Sequence, residues 1–90
     1  MAHIRIPAPL RKLTNDQEIV SSDAPTLKQA IDALDTQYPG LRERLCDEAG
    51  QIRRFVNIYV NGEDVRFLDN VNTRLTDKDE VSIVPAVAGG

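Results

Sequence analysis

Between Pro25 and Pro39, the residues Leu27, Ala30, Ile31, Leu34 and Tyr38 recur at the spacing of one helix face, while Lys28, Gln29, Asp32 and Asp35 point the other way. Thr26-Leu27-Lys28-Gln29 supplies a start: the Thr26 hydroxyl can accept from an unpaired N–H of the first turn, and Gln29 can reach back. Pro39-Gly40 supplies a stop. One amphipathic helix in a chain that otherwise reads as short strands needs one sheet face to cover its stripe. The expectation is a two-layer α+β domain.

The strand signals fall on both sides of that helix. Ile4-Arg5-Ile6-Pro7 and Glu18-Ile19-Val20-Ser21, separated by a polar stretch at Thr14-Asn15-Asp16-Gln17, predict a hairpin with a wide connection. Leu41 to Cys46 adds a short second turn of helix, and Asp47-Glu48-Ala49-Gly50 reads as a loose polar loop. The strongest strand runs from Ile52 to Val60, with Val56, Ile58 and Val60 on one side and Phe55, Asn57 and Tyr59 on the other. Asn61-Gly62 fits a type I′ turn, whose two central residues both need positive φ, and Glu63 to Arg66 is expected to return as a partner strand. Leu68 to Leu75 is irregular, anchored by Val71 and Leu75. Thr76 to Asp79 makes a turn, and Val81 to Val84 is the last strand. The predicted order is strand, strand, helix, then three strands.

Ninety residues allow one core and no second domain. The net charge of −3, with Lys and Arg scattered among Asp and Glu, excludes a phosphate-tracking surface, so nucleic acid is not an expected partner. No apolar run has the roughly 20 residues of a membrane span, and Met1 to Ile6 lacks a secretory apolar stretch; the expected location is cytoplasmic. One cysteine, Cys46, and one histidine, His3, cannot build a four-ligand zinc or iron–sulfur site, and no internal disulfide is available. Cys46 reads as a small half-buried residue near a helix end, His3 and Arg53-Arg54 as solvated surface, and Asp77 and Asp79 as turn residues far short of a calcium loop. With no nucleophile–base pair, phosphate loop or metal cluster, the chain is expected to be a non-enzyme that binds no cofactor or metal itself.

The chemistry is expected at the end of the chain. Pro85-Ala86-Val87-Ala88-Gly89-Gly90 has no charged and no bulky side chain. A terminal carboxylate is ionised at neutral pH and is a poor electrophile, so another protein must activate it before a nucleophile can attack. Glycines without Cβ let such an enzyme close a narrow channel around the backbone. Five extended residues from Ala86 reach roughly 17 Å, which puts Gly90 inside a partner while the domain stays outside. The expected division is a folded domain over residues 1–84 and a flexible tail over 85–90. Gly90 is the reactive end, and Val87, Ala88 and Gly89 are the inserted segment. Phe55, Tyr59 and Val84, on the sheet face away from the helix, are the candidate docking surface.

Taken together, Val60-Asn61-Gly62, Leu75-Thr76-Asp77-Lys78-Asp79-Glu80-Val81 and the Pro85 to Gly90 ending resemble the ThiS and MoaD family of β-grasp sulfur carriers. Arg54 to Asn61 and Glu63-Asp64-Val65-Arg66-Phe67 are most similar to its cysteine-biosynthesis branch. The resemblance covers nearly the whole chain. It implies a ubiquitin-like fold, a mixed sheet packed on one main helix, and a cycle in which Gly90 is adenylated with ATP by a ubiquitin-activating-type adenylyltransferase/sulfurtransferase and converted to a thiocarboxylate. It further implies a pyridoxal-phosphate-dependent cysteine synthase that uses the sulfur and a JAMM-type zinc metallopeptidase that releases the product. Every cofactor in that scheme belongs to a partner, and the free carrier is expected to be monomeric. Two other readings share the same tail: the small subunit of a molybdopterin synthase, and a ubiquitin-like modifier that joins Gly90 to lysines. A plain interaction domain would not need the two glycines.

Overall fold

The computed structural model describes residues 1–85, and in it the expected helix is α1, Leu27–Gln37. The Thr26 hydroxyl accepts from the Gln29 N–H at 3.2 Å, and Gln29 returns through its side-chain oxygen to the same hydroxyl, 3.0 Å away, rather than to the backbone. Leu27, Ala30, Ile31 and Leu34 are buried, as their spacing requires. Gly40, at φ +98, lets the chain reverse into α2, Leu41–Leu45, whose two leucines are fully enclosed.

The sheet has five strands: β1 (Ala2–Arg5), β2 (Ile19–Ser22), β3 (Val56–Val60), β4 (Glu63–Asp64) and β5 (Glu80–Pro85), in the spatial order β2-β1-β5-β3-β4. β1 and β5 run parallel at the centre and every other pair is antiparallel. Ala2, Ile4, Val20, Val56, Ile58, Val60, Val81 and Ile83 alternate onto the helix side and form the core with α1 and α2. This is the β-grasp, ubiquitin-like arrangement: a mixed sheet wrapped around one main helix. Among the described residues no helix is long and apolar enough to cross a membrane.

Several elements differ from their sequence expectations. β1 begins at Ala2, because the His3 N–H bonds the Asp79 carbonyl at 3.0 Å and ties the first residues to the neighbouring turn. The connection to β2, expected only to be wide, holds a 3₁₀ helix, Ala8–Thr14. Proline is compatible with a first turn because its N–H would be unpaired there, and Leu10 and Leu13 share one face at the three-residue period. Thr14, wholly buried, lies 3.2 Å and 3.0 Å through its hydroxyl from the carbonyls of Arg11 and Gln17.

The long strand starts at Val56, not Ile52. Ile52 bridges to Cys46, the Arg53 N–H bonds the Leu45 carbonyl at 3.0 Å, and Arg54 and Phe55 turn the chain into β3. β4 stops at Asp64, not Arg66, because the Asp64 carboxylate accepts the Arg66 N–H at 2.9 Å and opens a 3₁₀ turn over Val65–Phe67 that drives Val65 into the core. The turn between β3 and β4 is as expected: Asn61 at φ +52 and Gly62 at φ +86. The 68–75 segment is anchored by buried Val71 and Leu75, and the loop at Asp47 is braced, its carboxylate accepting from the N–H groups of Ala49 and Gln51, both at 3.0 Å.

Candidate functional site

The candidate site is the place where β5 delivers the chain to its C-terminal residues. β5 runs to Pro85, one residue past the expected end of the last strand, and there it lies opposite Val56. Val87, Ala88, Gly89 and Gly90 lie outside the described residues, so their roles stay with the sequence argument.

Of the three expected docking residues, the sheet brings two onto one face. Tyr59 is half-buried on the side away from α1, flanked by Ser82 of β5 and Asp64 of β4. Val84, 45% exposed, sits opposite Asn57 and is diagonal to Tyr59 on the same face. Phe55 is 49% exposed but stands in the turn before β3, off the strand pattern that had placed it beside Tyr59. It belongs to the rim rather than the face. Ile19 is 46% exposed at the β2 end of this sheet surface, with Arg5 between it and Ser82. Arg5 is held by Glu18 at 2.9 Å.

Two residues beside this face gave no separate signal in the sequence. Arg66 read as part of a returning strand; its guanidinium instead reaches the Asn57 amide oxygen at 2.8 Å and the carbonyls of Val56 and Arg53 at 2.7 and 3.0 Å. Phe67, the next residue, is 86% exposed, the most exposed large apolar side chain among the described residues. Asp64-Val65-Arg66-Phe67 alternates polar and apolar as a strand would, which hid the turn that buries Val65 and leaves Phe67 exposed.

The remaining sequence candidates are placed as surface or core. His3 is exposed on β1. Cys46 is buried, and burial, followed by the nearby Asp47, pushes its thiol above the ordinary range, so it stays a protonated thiol at neutral pH. It lines a groove of about 710 Å³ between α1, α2 and the 46–53 segment. The groove's charges are largely engaged: Arg42 pairs with Asp32 at 3.0 Å and Arg53 donates to the Glu43 carbonyl at 2.8 Å. Asp79 is a turn residue hydrogen-bonded to Thr76 and Asn61. No group of three or more metal-ligating side chains occurs among the described residues.

Comparison with known proteins agrees with this geometry. The ThiS family model matches residues 4–90. The sulfur carrier protein CysO of Mycobacterium tuberculosis is 48% identical over 89 residues, spanning 97% of this chain and 96% of that protein, and its crystal structure superposes with a TM-score of 0.91 over 97% of this chain and all of the other, at 45% identity. A chain of the Amycolatopsis orientalis BexX/CysO complex superposes with a TM-score of 0.93 at 37% identity, over the whole of both chains. Small archaeal modifier protein 3 of Haloferax volcanii is 37% identical over 90 residues, 97% of this chain and 96% of that protein. A family match over residues 4–90, with likeness to CysO in sequence and fold over nearly the whole chain, leaves one assignment: the chain belongs to the ThiS family.

Proposed function

We propose that this chain is a sulfur carrier for cysteine biosynthesis, acting in the cytoplasm as a free monomer, with the Gly90 carboxylate as the loaded group. The observation that carries the reading is the 48% identity to CysO over 97% of this chain, joined to a family match that runs to Gly90. The carboxylate attacks the α-phosphorus of ATP on an activating adenylyltransferase/sulfurtransferase and expels pyrophosphate. A sulfur nucleophile then adds to the acyl carbon and AMP leaves, which makes Gly90 a thiocarboxylate. Its sulfur would add to an aminoacrylate held by a pyridoxal-phosphate enzyme, an acyl shift to nitrogen would follow, and a zinc metallopeptidase would hydrolyse the resulting amide. ATP, pyridoxal phosphate and zinc all reside on partners, so the chain carries rather than catalyses.

Within this reading the domain offers the open sheet face, Tyr59 and Val84 with Phe55 at its rim, as the surface that partners grip while Val87, Ala88 and Gly89 lead Gly90 into their active sites. Aromatic and aliphatic side chains exposed next to a reactive end suit that task. The likeness to an archaeal modifier protein supports a second reading, in which the activated Gly90 acylates lysines of other proteins.

Intact-mass analysis after incubation with the cognate activating enzyme, ATP and sulfide tests the first reading. A gain of about 16 Da, the exchange of oxygen for sulfur, is expected, and proteolysis should map it to Gly90. No gain, or a gain that maps to Met1 or Cys46, counts against it. A ladder of heavier conjugates on a denaturing gel would favour the modifier.

A further inference from the structure

Arg66 stands where a strand is missing. β4 pairs with β3 only at Tyr59–Asp64 and Val60–Glu63, so among the described residues Val56 to Ile58 have no strand on their outer side. On their inner side the same three residues hold the end of β5: Val56 opposite Pro85, Asn57 opposite Val84, Ile58 opposite Ile83. The Asn61 N–H bonds the Glu80 carbonyl at 2.8 Å. Antiparallel alternation then makes Tyr59–Ser82 and Asn57–Val84 the hydrogen-bonded pairs and leaves Val56–Pro85 unbonded. Pro85 has no N–H to give in any case. The Asn57–Val84 pair is therefore the last rung before the C-terminal residues.

Val56 turns both of its backbone groups outward. Its N–H goes to the Arg53 carbonyl at 3.0 Å, and its carbonyl accepts from Arg66 Nη2 at 2.7 Å. The same nitrogen meets the Arg53 carbonyl at 3.0 Å, while Nη1 donates to Asn57 Oδ1 at 2.8 Å. One planar fork thus joins the turn before β3, the first residue of β3 and the side chain of the last rung, which a point-like ammonium could not do. Asp64, 3.9 Å away, offsets the charge, and the Arg66 side chain is two-thirds buried, at 33% exposure.

We propose that Arg66 is a positioning residue: by bridging Arg53, Val56 and Asn57 in place of a neighbouring strand, it keeps the Asn57–Val84 rung closed and fixes Pro85, the residue from which the Gly90-bearing end continues. The inference rests on the reading of Gly90 as the loaded group. For a tail drawn out in a partner's channel to a full reach of about 17 Å, a tilt of about 10° at Pro85 would displace the end by about 3 Å, as far as the reach across which reacting atoms must meet. A firm root narrows that spread before a partner closes on the tail.

The test compares wild type with R66Q and R66K on two readouts: amide hydrogen exchange along β5, and ATP–pyrophosphate exchange by the cognate activating enzyme, titrated with carrier. Both variants should exchange the Val84 amide about tenfold faster while Val81, in the core, stays unchanged. The kcat of activation should fall roughly fivefold or more at a KM within about twofold, because docking is retained and presentation is not. R66K should track R66Q, since it keeps the charge and loses the fork; it also decides the matter if R66Q fails to fold. Unchanged Val84 exchange, exchange raised evenly along β5, or activation at wild-type kcat would each overturn the proposal. Wild type that is not activated at all sinks the carrier reading and with it the purpose given to Arg66. Activated wild type with equally active variants sinks only the inference.

Discussion

The Asp79 carboxylate accepts from the Thr76 N–H at 2.8 Å through one oxygen and from the Asn61 amide at 2.8 Å through the other. Those hydrogen bonds, the backbone one first, hold its pKa below the ordinary carboxylate value. A carboxyl with a depressed folded-state pKa adds stability that is complete above its unfolded value and is lost as pH falls through the folded one. Urea unfolding of wild type and Asp79→Asn should therefore show a wild-type advantage at about pH 7 that shrinks towards zero by about pH 2. An advantage independent of pH would mean that the charge contributes nothing. Asn61 was legible as a turn residue, since both central positions of the turn need positive φ. That its side chain also clasps Asp79 and the Glu80 N–H, at 2.9 Å, was not, because those groups lie eighteen and nineteen positions away. Arg66 was hidden for the same reason: its three acceptors lie nine, ten and thirteen positions back.

At the level of elements, α1 was readable down to its cap because every signal for it is local: an apolar face at a fixed period, a hydroxyl before it and a proline after it. Thr26→Ala removes the acceptor for the Gln29 N–H and is expected to cost about 1 kcal/mol. For a domain this size that is a fall in Tm of roughly 4–8 °C in a thermal melt followed by circular dichroism. A change under about 1 °C would mean that water caps the helix equally well. The strands were readable in number and order but not in length. β3 lost its first four expected residues because Ile52 is drawn to Cys46 and Arg53 to Leu45. β4 shrank to two residues because Asp64 caps a turn. The 3₁₀ helix at Ala8–Thr14 escaped because a run this short at a three-residue period carries neither the strand nor the α-helix pattern.

At the scale of the whole molecule, the proposed function separates a folded body from a reactive ending. Every residue of the described core lies at or before Ile83. A chain ended at Pro85 is expected to melt within about 2 °C of the full-length protein and to take up no sulfur in the mass assay. A larger loss of stability would show that the final residues pack on the domain. The sequence by itself determined the fold class, the helix with its cap and the type I′ turn, because each is written in neighbouring residues or in a repeating period. Tertiary structure alone decided that Phe55 leaves the face that Tyr59 and Val84 share, and that an arginine fills a gap in the sheet beside the last rung. Strand register and the reach of a long side chain depend on which distant backbone groups remain unpaired once the sheet has closed, and no local pattern encodes that.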